Sequence, residues 1–132
     1  AEGIFHNLLI VSIRKEDPGH ARKVMYSLWG TGLLMLTKTI VVVGDDVDPS
    51  DLSEVAWRVT ANIDPSKDIV FVDGPTDDLD HASVLPKYGS KMGIDATSKG
   101  VVDGRSREWP PDIVMDKEIK NLVEKKWSEY GI

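Results

Sequence analysis

Four consecutive β-branched residues, Ile40 to Val43, limit how this chain can fold more than any other feature. An unbroken apolar run of this kind is typical of a strand covered on both faces, as in a parallel sheet. Directly after Gly44 the sequence turns acidic, with Asp45, Asp46 and Asp48. Ligand sites of open α/β sheets lie beyond the carboxyl ends of the strands, so this turn is one candidate site. The alternative is that these acids only end the strand and cap the next helix.

Strand and helix patterns flank this run on both sides. A first strand is predicted over 5–13 and a third over 69–72, while Asp17-Pro18 and Asp48-Pro49 each open a helix with an N-cap and a proline. The order strand, helix, strand, helix, strand predicts a right-handed, parallel βαβαβ core, and therefore an α/β fold.

The rest of the chain has a different character. An irregular acidic segment follows Gly74, and 92–94 within it is a candidate short strand. Asp116 then opens an amphipathic terminal helix. Its apolar residues recur at helical spacing: Ile119, Leu122, Val123, Trp127 and Tyr130. We therefore divide the chain into an α/β domain, 1–112, and a terminal helix, 113–132, that can be exchanged between protomers.

Composition excludes several classes of function. The 132 residues, 41% of them hydrophobic, suffice for one domain with a core. The net charge of -6 argues against nucleic acid as a partner and limits membrane association to a peripheral one. There is no cysteine, which excludes disulfides and thiolate metal sites. The chain begins with Ala1 and not Met, so we expect a processed product or a piece of a longer protein.

The histidines give little indication of a metal site. His6, His20 and His81 are far apart in the sequence and form no HExxH motif. His81 is the one candidate for a functional role, because the neighbouring carboxylates would raise its pKa.

A phosphate-accepting receiver domain is a second interpretation of the acidic residues. Asp45, Asp46 and Asp73 would hold magnesium while one of them accepts the phosphoryl group, with Lys91 as the accompanying lysine. The two further strands of a receiver domain are missing after Asp73, which argues against this interpretation.

Two motifs after the third strand are more specific. They read Asp77-Asp78-Leu79-Asp80-His81-Ala82-Ser83 and Ser90-Lys91-Met92-Gly93-Ile94-Asp95-Ala96-Thr97. Together with Leu28-Trp29-Gly30 and Asp64-Pro65 upstream, they resemble the carboxy-terminal domain of UbiD-type decarboxylases over nearly the whole chain. The resemblance implies reversible decarboxylation of aromatic or α,β-unsaturated acids. It also implies prenylated FMN as cofactor, with a divalent metal (Mn or Mg) and K+ in the full-length enzyme.

The same resemblance assigns roles to individual residues. The Arg-Glu-Glu catalytic group and the metal ligands of these enzymes precede the part that this chain resembles, so we expect no catalytic or metal-binding residue and no bound cofactor here. The implied substrate-pocket residues are Met35, Asp78, Leu79 and Asp80. The implied cofactor-side residues are Gly32, Lys38, Asn62 and Asp95. Some relatives carry Lys or Arg in place of Gly32, and Lys38 would then be the substitute.

Partners follow from the resemblance too. We expect the rest of a cytoplasmic decarboxylase chain as one partner, and a homo-oligomer formed through the terminal helix. The alternative is a stand-alone α/β binding or accessory subunit that assembles with other chains.

Overall fold

The computed structural model describes residues 7–131 and contains a four-stranded sheet with helices on both faces. The strands are β1 (Leu8–Ile13), β2 (Thr39–Gly44), β3 (Ile69–Pro75) and β4 (Tyr88–Asp95). The helices are α1 (His20–Trp29), α2 (Leu52–Asn62), α3 (Pro65–Asp68) and α4 (Lys117–Lys125). Three 3-10 turns span Gly32–Leu36, Val101–Asp103 and Trp127–Glu129. The predicted α/β class is confirmed; Phe5 and His6 of the predicted first strand lie outside the described residues.

The topology corrects the expectation of a fully parallel core. The spatial order is β1-β2-β4-β3, and the pairs β1–β2 and β2–β4 are parallel. The third strand, β3, is antiparallel to β4 and lies at the edge of the sheet. The segment around 92–94 therefore belongs to a full strand in the sheet interior. The physical reason is that the 76–87 segment joins β3 directly to β4 as a hairpin connection, which places neighbouring strands antiparallel.

Each face of the sheet carries one apolar cluster. On one face α2 packs its Val55 against Val41, Val43 and Ile94. On the other face α1 packs Ala21 and Met25 against Ile40 and Val42, and all four of these side chains are fully buried. The β-branched run thus divides its side chains between the two faces, as predicted from its unbroken apolar character.

The helix starts are corrected by a few residues. Gly19, and not Asp17, is the N-cap of α1, in a left-handed conformation with φ of 73° that suits glycine. Asp51, and not Asp48, caps α2 by accepting hydrogen bonds from the backbone N–H groups of Ser53 and Glu54. Asp48 instead binds Ser50 within the preceding turn. The predicted cap at Asp116 is confirmed, since its carboxylate accepts from the N–H of Glu118.

Candidate functional site

The acidic turn after β2 has a structural role. Asp46 accepts from the guanidinium of Arg58 at 3.2 Å, and Arg58 also forms two hydrogen bonds with Asp112. Asp73, near the carboxyl end of β3, lies beside the amino ends of the other strands, because β3 runs antiparallel to its neighbour. The acids of the receiver-domain interpretation are therefore not brought together. No group of three or more metal-binding side chains occurs within residues 7–131.

Predicted site residues lie in two groups at opposite ends of β4, each together with neighbours that the sequence did not single out. The first group, which we call the hairpin layer, comprises Lys38, Asp80, Ser83, Lys91 and the 32–36 turn with Met35. The second group, the carboxyl-edge cluster, comprises Asn62, Asp95, Thr97 and Lys99. Lys91 belongs to the first half of β4 and Asp95 is its last residue.

An ion pair joins the two loops of the hairpin layer. The Lys38 ammonium lies 2.7 Å from Oδ1 of Asp80, which also accepts from the N–H of Ala82 at 3.1 Å. The hydroxyl of Ser83 donates to the other oxygen, Oδ2, at 2.5 Å. The hydrogen bonds from Lys38 and Ser83 lower the pKa of Asp80 to about 2. Asp80 is therefore ionised across the physiological range and holds the acidic loop in one conformation.

Lys91 connects β4 to the 32–36 turn. Its ammonium donates to the backbone carbonyl of Met35, and the residue is only 3% exposed. Burial lowers the pKa of this amine. Gly74 on β3 and Gly89 on β4 lie opposite each other in the sheet, and their lack of side chains lets Lys91 and Ser83 pack against the strands. A Cβ on Gly89 would lie 2.2 Å from the Ser83 hydroxyl, so the loop closes over the strand only because Gly89 has no side chain.

The predicted substrate-pocket residues remain partly open. Met35 and Leu79 are 40% and 55% exposed, whereas Asp78 forms a surface ion pair with Lys87 at 3.0 Å. Gly32 has a φ of 48°, a left-handed conformation that Lys or Arg rarely adopts. The glycine at this position therefore has a local conformational reason.

In the carboxyl-edge cluster, buried polar groups bind each other. Asn62 donates to the carbonyl of Ala96 at 3.1 Å, and the Asp95 carboxylate accepts from the backbone and hydroxyl of Thr97. Lys99 donates to the carbonyls of Asp95 and Thr97, both at 2.8 Å. A cavity of about 600 Å³ adjoins this cluster.

Most of the predicted cofactor-side residues have hydrogen-bond partners within the chain. Lys38 is engaged by Asp80, while Asn62 and Asp95 have hydrogen-bond partners within the chain. Gly32 has no side chain to offer.

Sequence inspection overlooked Thr76, Ser83 and the glycine pair of the hairpin layer. Thr76 is 2% exposed, and its hydroxyl has no hydrogen-bond partner. The signal in the sequence was the presence of Gly74 and Gly89 on either side of a polar loop, because glycine within a strand often marks a close approach of another segment. His81, the histidine candidate, is exposed in that loop.

Fold and site together define the chain as a mixed α/β domain that presents a preformed polar layer at its β3–β4 hairpin. Residues 1–96 match the family described as 3-octaprenyl-4-hydroxybenzoate carboxy-lyase C-terminal domain, and the chain belongs to this UbiD family. An uncharacterised protein of Archaeoglobus fulgidus is 53% identical over 129 residues, covering 97% of this chain and 27% of that protein. The chain thus spans about a quarter of that relative's length.

Solved structures agree with this assignment. The closed form of vanillic acid decarboxylase from Sedimentibacter hydroxybenzoicus is 30% identical, with a TM-score of 0.76 over 90% of this chain and 26% of that chain. The UbiD-class enzyme HmfF from Pelotomaculum thermopropionicum, in complex with FMN, is 25% identical with a TM-score of 0.70, over 89% and 26%. An evolved dimeric form of HmfF in complex with prFMN is also similar, with 25% identity and a TM-score of 0.55 over 80% and 20%. Within residues 7–131, no helix is long and apolar enough to cross a membrane.

Proposed function

We propose that this chain is the carboxy-terminal domain of a prenylated-FMN-dependent, cytoplasmic decarboxylase acting on aromatic or α,β-unsaturated carboxylic acids. Family membership and the likeness to vanillic acid decarboxylase and HmfF support this proposal. The chain would be catalytically incomplete alone. The flavin, its metal and K+ would be held by the rest of the polypeptide, because the cofactor-side residues here are bonded within the chain.

One observation carries the proposed role of this domain, which is to form a wall of the active site. The Lys38–Asp80 ion pair fixes the acidic loop against the segment that follows the 32–36 turn. Met35 and Leu79 nevertheless remain 40% and 55% exposed on that fixed surface. A rigid polar base with apolar side chains facing outward is suited to shaping a pocket for a planar acid, because positions fixed by packing and hydrogen bonds define a pocket more sharply than mobile ones.

The test uses the full-length polypeptide loaded with prenylated FMN, and its readout is carbon dioxide release from a panel of aromatic acids. Leu79→Ala should change the ratio of kcat/KM between two acids of the panel by roughly tenfold or more. This is the scale of a few missing methylene contacts. Its melting temperature should stay unchanged, because Leu79 is more than half exposed.

Val84→Ala is the matched control, since Val84 lies in the same loop and is 96% exposed. It should leave both selectivity and stability unchanged. Full activity of Leu79→Ala with the original preference would remove Leu79 from the pocket. Absence of any decarboxylation by the unmutated full-length protein would overturn the proposed function itself.

A stand-alone accessory subunit is the second candidate function. It is favoured by the terminal segment, whose apolar side chains at Ile119, Leu122 and Trp127 are about half exposed and available to another chain. The two candidates differ in whether decarboxylation requires this chain to be covalently joined to the flavin-binding part.

A further inference from the structure

The structure gives the buried ammonium of Lys91 no ion-pair partner among residues 7–131. Lys91 is 3% exposed, and its single hydrogen bond goes to the neutral carbonyl of Met35. The acidic side chains of the surrounding hairpin that form ion pairs, Asp80 and Asp78, are paired with Lys38 and Lys87 instead. An ammonium group has three N–H donors, so two of them have no acceptor in the part of the chain that the structure describes. Leaving a charge buried without a partner is costly, so an anion that approaches this ammonium would be stabilised.

Thr76 provides a second unsatisfied donor on the same face of the hairpin. Its hydroxyl is buried and has no hydrogen-bond partner. Lys91 is opposite Val72, the next β3 residue on that face is Gly74, and Thr76 directly follows the last residue of the strand, Pro75. The Lys91 nitrogen lies 3.7 Å from the position that a Cβ on Gly74 would occupy. The side chain of Lys91 therefore leans along the strand toward Thr76.

The charges of the hairpin layer do not balance. Lys38 is neutralised by Asp80, which also accepts from Ser83. The layer therefore holds two ammonium groups and one carboxylate, and the excess positive charge belongs to Lys91. Gly74 leaves room for the Lys91 side chain beside β3, whereas Ser83 packs over Gly89.

We propose that Lys91 and Thr76 form a binding site for one carboxylate group. The unused N–H donors of Lys91 and the O–H of Thr76 match the two oxygens of a carboxylate, and hydrogen bonds to ionised groups are the stronger kind. The choice of a carboxylate over another oxyanion rests on the proposed function. The carboxylate comes either from a small acid or from a side chain of another polypeptide segment.

The test is thermal unfolding of the 132-residue chain in benzoate, with chloride and inorganic phosphate at matched ionic strength as comparisons. For a small acid, benzoate should raise the melting temperature with the logarithm of its concentration, because it binds only the folded state. Thr76→Val should weaken the apparent affinity for benzoate by roughly two- to tenfold, the scale of one hydrogen bond. Lys91→Met should abolish the response, whereas Lys87→Met, at an exposed lysine in the same hairpin connection, should keep it.

The melting temperature of Lys91→Met in chloride and the benzoate response of the unmutated chain together separate the two sources of the carboxylate. In chloride, Lys91→Met should melt at the same or a higher temperature than the unmutated chain, because it removes an uncompensated buried charge. That result without a benzoate response assigns the carboxylate to another polypeptide segment. A lower melting temperature of Lys91→Met and no benzoate response would make Lys91 a structural tie to Met35 and overturn the site. An equal response to phosphate would overturn the choice of carboxylate and leave the decarboxylase proposal intact.

Discussion

Gly93 lies where α1 crosses β4, and its lack of a side chain permits the approach. A Cβ at this position would lie 2.6 Å from the sulfur of Met25 and 3.1 Å from Cη2 of Trp29. Gly93→Ala should therefore lower the free energy of unfolding by about 1–3 kcal/mol, the usual cost of overpacking. Denaturant unfolding measures this loss. Gly100→Ala is the control, because no atom lies within 4 Å of its added Cβ; equal stabilities of the two variants would contradict the packing argument.

Asp80 should make stability depend on pH at the acidic end. Hydrogen bonds from Lys38 and Ser83 lower its pKa from 3.8 to about 2, so the folded chain binds this proton more weakly than the unfolded chain. Ionised Asp80 therefore stabilises the fold above about pH 4, and the contribution is lost as the pH falls toward about 2. The difference in unfolding free energy between the unmutated chain and Asp80→Asn should be largest above pH 4 and shrink between pH 4 and 2.

Asp78→Asn is the comparison for this measurement, because the Asp78 side chain is 64% exposed and its ion pair is with a surface lysine. A surface pair contributes little, so its difference curve should stay nearly flat. Identical curves for Asp78→Asn and Asp80→Asn would mean that Asp80 has no special role in holding the loop.

The sequence predicted individual capping residues only where the geometry was local. Asp116 was identified correctly, since an Asp just before a helical repeat needs only its own backbone neighbours to act as a cap. Asp17 was wrong because Gly19 adopts a left-handed φ and begins the helix two residues later. The Lys38–Asp80 pair spans 42 positions and carries no local pattern, so only the fold brings it together.

At the scale of elements, the predicted strand 92–94 is shorter than the observed β4, Tyr88–Asp95, because the glycines of β4 weaken the strand pattern in the sequence. Gly89 and Gly93 are required by close contacts with Ser83 and Met25, respectively, and they interrupt the β-branched pattern that identified β2. Once β4 is recognised as a full strand, β3 becomes its antiparallel hairpin partner. Helix periodicity, by contrast, identified α1 and α2, because an amphipathic helix repeats its pattern over several turns. The terminal helix is shorter than the predicted 113–132: α4 ends at Lys125, and Trp127 lies in a separate 3-10 turn.

The antiparallel β3 also determines how α2 covers the sheet. β3 begins opposite Ile94, near the carboxyl end of β4. The connection from β2 through α2 therefore starts and finishes at the same end of the strands. α2 consequently covers Val41 and Val43 but not the next row, which contains Leu8 and Phe71. Those two side chains are 54% and 69% exposed.

This partial coverage gives a prediction for Phe71. Phe71→Thr should change the free energy of unfolding of the isolated chain by less than about 0.5 kcal/mol, because little of the ring is removed from water on folding. Ile40→Ala, at a fully buried position of β2, should cost about 2–5 kcal/mol in the same denaturant experiment. A cost for Phe71→Thr that approaches that of Ile40→Ala would mean that this half of the sheet is covered within the chain.

At the scale of the whole molecule, the last firm attachment to the body is Asp112. Its carboxylate binds both terminal nitrogens of the buried Arg58, at 2.9 and 2.6 Å, and the hydrogen bond from Arg58 lowers its pKa. From Ile113 to Gly131 every residue except Val123 is exposed. This contrast supports the proposed division of the chain into 1–112 and 113–132.

The terminal helix should make the chain oligomeric. Ile119 and Leu122 of α4, and Trp127 and Tyr130 beyond its end, are each about half exposed. Burying each large apolar side chain contributes roughly 1.5–3 kcal/mol, so a partner surface is strongly favoured over water. In a symmetric dimer the exchange of helices would be reciprocal. Light scattering over a dilution series should therefore give a dimer mass at high micromolar concentration.

Substitutions separate the helix face from the rest of the terminal segment. Trp127→Asp should shift the light-scattering mass toward the monomer or toward aggregates, because it places a charge in the apolar face and leaves the other side chains of that face uncovered. Ile113→Asp should leave the dimer intact, because Ile113 is fully exposed and precedes the helix. A monomer mass for the unmutated chain at high micromolar concentration would mean that the helix folds back onto its own domain, and the uncovered row of the sheet with Leu8 and Phe71 would then be the surface to examine.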